Sequence, residues 1–181
     1  MNKEEQEWIY KERAVLVGVD VPDDPGEING DFDRSMEELH NLAKACLIEP
    51  VALVTQKMAA VNKGLYIGTG KVQEVREIAK RLDADLVIFD NSLTPSQLSN
   101  LQDELGMPVI DRTALILDIF ESRARTREAK LQVETAKLQY LLPRLVGMHE
   151  ALTRQGGTSG SMSSRGAGEK KLELDRRRIE H

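Results

Sequence analysis

The stretch Asp85–Arg112, DLVIFDNSLTPSQLSNLQDELGMPVIDR, decides the fold of this chain. It opens with a short apolar run that is typical of a buried strand. Thr94 and Pro95 then mark the start of a helix, because Thr is a capping residue and Pro is tolerated in the first turn. Gly106 ends that helix, and the apolar pair Val109-Ile110 indicates the next strand. A strand, a helix and a strand in this order predict two parallel neighbours in one sheet.

The same alternation of strand and helix precedes this stretch. Apolar residues recur at helical spacing around Met36–Leu47 and around Val72–Leu82. Short apolar runs that are typical of strands stand beside these helices: Ala14–Asp20, Val51–Gln56 and Leu65–Ile67. We therefore predict an α/β domain over residues 1–111, with a mostly parallel sheet and flanking helices.

From residue 112 onward the pattern becomes that of long helices. Pro143, in the middle of this part, is expected to kink a helix rather than end it. Apolar residues at intervals of seven indicate a coiled-coil-like seam: Leu117, Ala124, Leu131, Leu138, Leu145 and Leu152. A Gly- and Ser-rich loop at 156–168 follows, and helical character resumes at Glu169. Residues 112–181 are therefore predicted to form a long antiparallel helical hairpin. The final residues carry no helix stop signal, so we expect the second helix to be cut before a further domain.

The net charge of -5 is divided unevenly along the chain. Residues 1–122 carry 12 Lys and Arg against 23 Asp and Glu, a net charge of -11, whereas residues 123–181 carry 13 against 7, a net charge of +6. A basic C-terminal part behind an acidic N-terminal part indicates binding of an anion, most often nucleic acid. Basic residues that pair with local Glu on long helices would give the same counts, so charge alone leaves both interpretations open.

Composition argues against several classes of protein. The sequence has no run of about 18 apolar residues and no apolar signal-peptide core, so we predict a cytoplasmic protein without a membrane span. Cys46 is the single cysteine in the sequence, and with three His residues no zinc site is predicted. The acidic segment Asp23–Asp33 lacks the spacing of a calcium loop. No Ser or His has the partners of a catalytic triad, so neither a metal site nor a catalytic residue is predicted.

A second stretch, GLYIGTGK at Gly64–Lys71, resembles a phosphate-binding loop at first sight. Such a loop needs Gly, four residues and then Gly-Lys followed by Ser or Thr, because backbone amides surround the phosphates and the hydroxyl ligates magnesium. Leu65 stands where the first Gly is required, and Val72 replaces the hydroxyl residue. We predict a structural turn between a strand and a helix, with the alternative of a weak anion site. That site would comprise Gly68, Thr69, Gly70 and Lys71.

The strongest chemical signal is a cluster of basic residues around the loop at 156–168. Arg side chains bind phosphate through two contacts, and glycines let a backbone approach a crowded surface closely. A helical rod that ends in such a loop suits a narrow, negatively charged cavity such as structured RNA. A linker beside a charged helix is the alternative interpretation. The predicted RNA-binding residues are Arg154, Gly156, Gly157, Arg165, Gly166, Gly168, Lys170, Lys171, Arg176, Arg177 and Arg178.

Several segments in the same order resemble the N-terminal half of the HflX family of ribosome-associated GTPases. They are YIGTGKVQEV, VIFDNSLTPSQLSNLQDEL, VIDRTALILDIFESRARTREAKLQVETAKLQYLLPRL and SRGAGEKKLELDRRRIEH. The resemblance runs from Ala14 to His181. It implies an α/β subdomain and a long helical hairpin whose second helix leads into a GTPase domain. GTP and Mg²⁺ are expected in that domain, and no cofactor is expected in residues 1–181.

The resemblance also implies a function on the ribosome. The protein would bind the large (50S) subunit, with the hairpin loop contacting rRNA near the peptidyl-transferase centre, and would split or rescue stalled or idle ribosomes under stress. Gly156, Gly157, Arg165, Gly166, Gly168 and Glu169 match the family's loop signature, and Leu172, Asp175, Arg176 and Arg177 match the start of the returning helix. Ala167 stands where many members have Pro. The 181 residues alone are predicted to be a monomer without catalytic activity.

Two alternatives from other functional classes remain open from the sequence. The α/β domain could belong to an enzyme that binds a nucleotide through Gly68–Lys71. The helical part could serve as a coiled-coil interaction adaptor, with Leu131 and Leu138 in its seam.

Overall fold

The strands that the structure describes form a parallel sheet, where the sequence predicts a mostly parallel one. A computed structural model describes residues 11–21 and 32–155, with side chains described to residue 145. The strands are β1 (Glu12–Asp20), β2 (Ile48–Lys57), β3 (Leu86–Phe89) and β4 (Val109–Asp111). They form one four-stranded sheet in the order β2-β1-β3-β4, and each neighbouring pair is parallel. The predicted α/β class is therefore confirmed.

Helices follow the strands in alternation. They are α1 (Phe32–Ala45), α2 (Thr69–Arg81), α3 (Pro95–Leu105), α4 (Arg112–Arg123) and α5 (Arg127–Gln155). Helix α3 begins and ends where its sequence signals predict. The Thr94 hydroxyl accepts a hydrogen bond from the Gln97 N–H, and the Gln97 side chain accepts one from the Thr94 N–H. Gly106 then ends the helix in the left-handed conformation, with a φ of 67°.

Both faces of the sheet are covered, because alternate residues of a strand point to opposite sides. Side chains from one face pack with α2 and α3: Val15, Val17, Val87 and Phe89. Side chains from the other face pack with α1 and α4: Ala14, Leu16, Leu86 and Ile88. Helix α1 crosses β1 so closely that a Cβ atom on Gly18 would lie 2.3 Å from Met36 Sδ. A side chain at position 18 would therefore force Met36 to move.

The predicted strand at Leu65–Ile67 is wrong. Leu65 belongs to a tight turn, which Tyr66 closes by forming an isolated antiparallel bridge with Asn62. The Asn62 side chain accepts hydrogen bonds from the N–H groups of Gly64 and Leu65, which closes the turn. Asn100 of α3 donates to the Gly64 carbonyl, so the turn is held on α3 rather than in the sheet.

The single long helix predicted from residue 112 is also wrong, because the chain forms two helices with a break between them. Ala124 ends α4 with extended backbone angles, φ -67° and ψ 117°. Thr126 then caps α5, since its hydroxyl accepts a hydrogen bond from the Ala129 N–H at 3.1 Å. Pro143 lies inside α5 and does not end it, as predicted.

The predicted coiled-coil seam is only partly visible in the described residues. Leu115, next to the seam in α4, is fully buried in the core of the α/β domain, whereas Leu131 in α5 is exposed. Leu117, Leu138 and Leu145 are half-buried. The returning helix of the predicted hairpin lies outside the described residues. In the described part of the chain, no helix is long and apolar enough to cross a membrane.

Candidate nucleic-acid interface

We call helix α5 the arm. The interface predicted from the sequence lies at the C-terminal end of the arm and beyond it. The arm is 29 residues long, or about 42 Å at 1.5 Å per residue. Arg154 lies in its last turn. The other predicted RNA-binding residues lie outside the described residues: Gly156, Gly157, Arg165, Gly166, Gly168, Lys170, Lys171, Arg176, Arg177 and Arg178. Their joint role stays a prediction, and the described residues show how the arm that leads to them is held.

A buried carboxylate fastens the middle of the arm to the α/β domain. Asp111, the last residue of β4, is fully buried. Its carboxylate accepts hydrogen bonds from the backbone N–H groups of Leu93 and Ala114, at 3.1 and 3.3 Å. It also accepts one from the Tyr140 hydroxyl at 2.6 Å and one from Arg144 Nη2 at 3.4 Å. One side chain therefore caps α4, orders the turn after β3 and holds the arm.

Tyr140 and Arg144 lie one turn apart on the arm and support each other. The Arg144 guanidinium carbon lies 3.5 Å from the centre of the Tyr140 ring, which is a cation–π contact. Arg144 also donates to the carbonyl groups of Tyr140 and Leu93, at 2.9 and 3.0 Å. Burial, and then the hydrogen bond to Asp111, raise the pKa of Tyr140 well above its usual range, so its hydroxyl keeps its proton and donates to a higher pH than that of a free tyrosine. We call Asp111, Tyr140 and Arg144 the latch.

A second ion pair ties the carboxyl edge of the sheet to α1. Arg112 Nη2 lies 2.7 Å from Asp90 Oδ1, and Asp90 Oδ2 accepts a hydrogen bond from the Ser35 hydroxyl at 2.6 Å. Arg112 also donates to the Ser35 carbonyl and pairs with Glu38 at 3.3 Å. Ligands of open α/β sheets bind at this edge, near the point where strand order reverses. Here Arg112 is already paired, so the cluster serves to join β3, α1 and α4.

About one turn before Tyr140, Lys137 joins the arm to α4 through two exposed carboxylates. Lys137 Nζ lies 3.0 Å from Asp118 Oδ1 and also pairs with Glu121. Asp118 and Glu121 are more than half exposed, so water and salt screen these pairs. The arm is therefore attached to α4 by exposed pairs and, about one turn further along, to Asp111 by the buried latch.

The weak anion site predicted at the start of α2 stays a prediction. Thr69 and Gly70 are exposed, and Gly68 precedes the helix without a capping side chain. The Gly68 N–H, however, donates to Gln56 Oε1 at 3.1 Å. Lys71, the cation of this motif, pairs with Glu74 at 2.8 Å. The helix start keeps free amides, but its lysine is held by a neighbouring carboxylate. Among residues 11–21 and 32–145, no three His, Cys, Asp or Glu side chains are grouped to hold a metal ion.

The latch was missed from the sequence. Asp111 lies 29 residues before Tyr140 and 33 before Arg144, so no local spacing links the three. The available signals were weak: an acidic residue after a short strand, and a Tyr and an Arg four residues apart on a helix. Asp111 as the cap of α4 was the clearer of these signals, because Asp is a preferred residue at that position.

Known protein families match both the N-terminal and the C-terminal part of this chain. Residues 33–121 match the family model "GTP-binding GTPase N-terminal", and residues 123–181 match "GTP-binding GTPase Middle Region". The chain is 51% identical over 168 residues to GTPase HflX of Alkalihalophilus pseudofirmus, a match that covers 93% of this chain and 38% of that protein. It is 46% identical over 170 residues to GTPase HflX of Caldanaerobacter subterraneus subsp. tengcongensis, covering 93% and 37%.

The fold is also similar to that of a solved structure, SsGBP in complex with GDP. The TM-score is 0.62 at 23% identity, and the match covers 93% of this chain and 41% of that one. This likeness concerns the fold alone. The chain spans less than two fifths of the two curated relatives, at 38% and 37% of their lengths. Two adjoining family models and relatives of one kind agree on the assignment, and the chain therefore belongs to the HflX family of GTPases.

Proposed function

We propose that this chain is the ribosome-binding region of an HflX-like GTPase and associates with the large ribosomal subunit. The arm carries the loop at 156–168 to rRNA near the peptidyl-transferase centre. The whole protein then splits or rescues stalled or idle ribosomes under stress, in the cytoplasm and as a monomer. GTP and Mg²⁺ bind in a GTPase domain outside these residues, so the 181 residues alone hydrolyse no GTP.

The observation that carries this proposal is the latched arm. A loop that enters a narrow, anionic cavity binds more tightly when its support is already ordered, because less freedom is lost on binding. The latch fixes the arm at Tyr140 and Arg144, and the helix continues for 11 residues beyond Arg144 to Gln155. Those residues lead directly to the Gly- and Ser-rich loop and the basic residues around it, within the C-terminal part of the chain that carries a net charge of +6. The arm is therefore suited to present a basic loop at a fixed place.

In this proposal, residues 169–181 return along the arm as the second helix of a hairpin. Leu131, Leu138 and Leu145 lie on one face of α5, since seven residues make about two turns. Tyr140, two residues after Leu138, points about 200° away and faces the α/β domain. On this face Leu131 is exposed and Leu138 and Leu145 are half-buried, and Leu172 and Ile179 have the matching spacing of seven for a second helix.

Cosedimentation with purified ribosomal subunits tests the proposal. We expect the 181-residue chain to pellet with large subunits and not with small ones, and to dissociate as salt rises. Replacing Arg165, Arg176 and Arg177 together with Ala should lower the slope of log affinity against log salt concentration by about 3, one for each lost phosphate contact.

A matched variant separates a specific loop contact from a loss of charge. Lys44, Lys63 and Lys80 are exposed on the α/β domain, and replacing all three with Ala changes the net charge by the same amount. This control should leave binding to large subunits unchanged. Equal losses in the two triple variants, or binding by the loop variant as tight as that of the original chain, would contradict the assignment of the loop.

A further inference from the structure

A strongly basic surface lies at the other end of the arm, at the turn between α4 and α5. Its cationic side chains, Arg123, Arg125, Arg127 and Lys130, are all exposed. None of these four groups forms an ion pair with a carboxylate in the described part of the chain. We call these four residues the basic turn. Four unpaired cations within eight residues produce a local positive potential on a chain whose net charge is -5.

The nearby carboxylates do not neutralise the basic turn. Asp118 and Glu121, the acidic residues of α4 closest to it in sequence, both pair with Lys137 on the side where α4 contacts α5. Glu128 lies within the turn but forms no ion pair with its cations in the described residues. Glu134, one turn after Lys130, forms no ion pair in the described residues either, so the four positive charges outnumber the two uncommitted carboxylates beside them.

The backbone of the basic turn is ordered by its own hydrogen bonds. The Ala124 N–H donates to the Phe120 carbonyl at 2.9 Å, which completes α4. The Thr126 hydroxyl and carbonyl accept from the N–H groups of Ala129 and Lys130, which starts α5. The cations are consequently presented from two helix ends in a fixed arrangement, and a ligand that matches their spacing need not order the backbone.

An exposed aromatic ring stands beside the cations. Phe120, one turn before Arg123, leaves 54% of its surface exposed although it is a large apolar residue. An aromatic face beside Arg and Lys side chains is the combination that binds unpaired bases, because the ring stacks on the base and the cations bind the flanking phosphates. Anionic membranes also attract basic residues, but insertion needs a wider apolar face than one ring.

We infer that the basic turn and Phe120 form a second RNA-binding surface, about 42 Å from the loop end of the arm. The RNA it fits has an unpaired base in a bulge or loop, which stacks on Phe120 while neighbouring phosphates bind the four cations. This inference rests on the proposed function in that it gives the same class of partner a second contact. Two contacts at opposite ends of one rod fix the orientation of the rod and raise its affinity more than either contact alone.

Fluorescence anisotropy tests the surface directly. The probes are a labelled RNA hairpin with an unpaired loop and a blunt RNA duplex with the same number of phosphates. Replacing Arg123, Arg125, Arg127 and Lys130 together with Gln should lower the salt slope for the hairpin by about 3, at roughly 0.7 for each contact. Phe120→Leu, which keeps an apolar side chain, should weaken hairpin binding about tenfold and leave duplex binding unchanged.

A control with the same change in charge makes the result specific. Lys44, Lys63, Lys80 and Arg81 are exposed on the α/β domain, and their joint replacement with Gln should leave the salt slope as it is. Equal effects of the two quadruple variants would overturn the inference. So would binding to vesicles that contain phosphatidylserine with the same dependence on the basic turn, if the RNA hairpin does not bind.

The same variants distinguish this inference from the proposed function. If the chain fails to bind large subunits but binds the hairpin through the basic turn, the proposed function fails and the RNA surface stands. If large subunits bind through the loop while the basic-turn variant and Phe120→Leu change neither subunit nor hairpin binding, the second surface is wrong and the proposed function stands. Circular dichroism of each variant confirms that its helices are retained.

Discussion

The sheet and the arm of this molecule are held by different kinds of contact. β1 and β3 lie in the middle of the sheet, and Leu16, Ile88 and Phe89 are fully buried between helices on both faces. The arm has an exposed Leu131, and its packing on α3 is supplemented by the hydrogen bonds and the ion pair around one carboxylate, that of Asp111. Apolar burial is non-directional and spread over many residues, whereas hydrogen bonds fix a direction and are few.

This difference implies that stability and position are controlled by separate residues. Loss of apolar contacts should lower the free energy of unfolding without selecting any one helix. Loss of the latch should act first on the arm, because Tyr140 and Arg144 contribute nothing to the two apolar cores. Substitutions in the apolar core and in the latch test this separation of stability from position.

The largest effect is expected from Phe89→Ala in the centre of the sheet. Phe89 is fully buried and meets the Tyr66 ring edge-to-face, with centroids 6.4 Å apart. Truncation leaves a cavity, so we expect the free energy of unfolding to fall by about 4 kcal/mol in urea titrations. Amide hydrogen exchange should accelerate in β1 and in the arm alike. Faster exchange confined to the arm would contradict the separation of the two regions.

A somewhat smaller loss of stability is expected from Asp111→Ala, and it should affect the arm more than the sheet. The substitution leaves the Arg144 charge and two backbone N–H groups without their acceptor, at a cost of about 3 kcal/mol. Hydrogen exchange of the arm should accelerate more than that of β1, and large-subunit binding should weaken. Asp33→Ala, at an exposed acidic residue in α1, is the matched control and should change neither. Uniform acceleration across the chain would show that Asp111 stabilises the core and not the arm.

Local signals made most of the α/β domain predictable. Helix α3 was placed by Thr94, Pro95 and Gly106, which act within the helix itself. The strand predicted at Leu65–Ile67 failed because the outcome depends on Asn100 of α3, which takes the Gly64 carbonyl out of any ladder. An apolar run shows that a segment is buried, but not that a neighbouring strand is available to pair with it.

In the arm, by contrast, local sequence signals did not predict the main features. The seven-residue spacing hid the break before α5, although Thr126 followed by three good helix formers is itself a start signal. The latch was beyond prediction for another reason. Its carboxylate and its donors are brought together by the packing of α5 on the α/β domain, and nothing in the separation of Asp111 from Tyr140 or Arg144 reports that packing.

A smaller effect, and one that depends on pH, is expected from Tyr140→Phe. The substitution removes one hydrogen bond to a buried carboxylate and keeps the ring, so it should cost about 1.5 kcal/mol at neutral pH. The folded state raises the pKa of Tyr140, mainly by burial, while an unfolded tyrosine has a pKa of about 10. The folded protein holds this proton more tightly. The stability that it contributes is therefore complete below a pH of about 10 and declines as the pH rises further.

Urea titrations of the original chain and of Tyr140→Phe at several pH values measure this effect. The difference in unfolding free energy should be constant from neutral pH to about pH 9 and should shrink above about pH 10. In an Asp111→Ala background, Tyr140→Phe should cost close to nothing, since the acceptor is already absent. A full cost in that background would show that the Tyr140 hydroxyl does not act through Asp111.

The smallest effect is expected from Lys137→Gln, which removes the exposed pairs with Asp118 and Glu121 about one turn before Tyr140. Both carboxylates are more than half exposed, so the loss should be about 0.5 kcal/mol at low salt and should vanish near 1 M salt. Lys130→Gln, which removes an exposed and unpaired charge from the same helix, is the control and should have no effect on unfolding. A loss for Lys137→Gln that equals that of Tyr140→Phe and persists in high salt would mean that the exposed pairs hold the arm as firmly as the latch does, and the latch would then not be the contact that sets its direction.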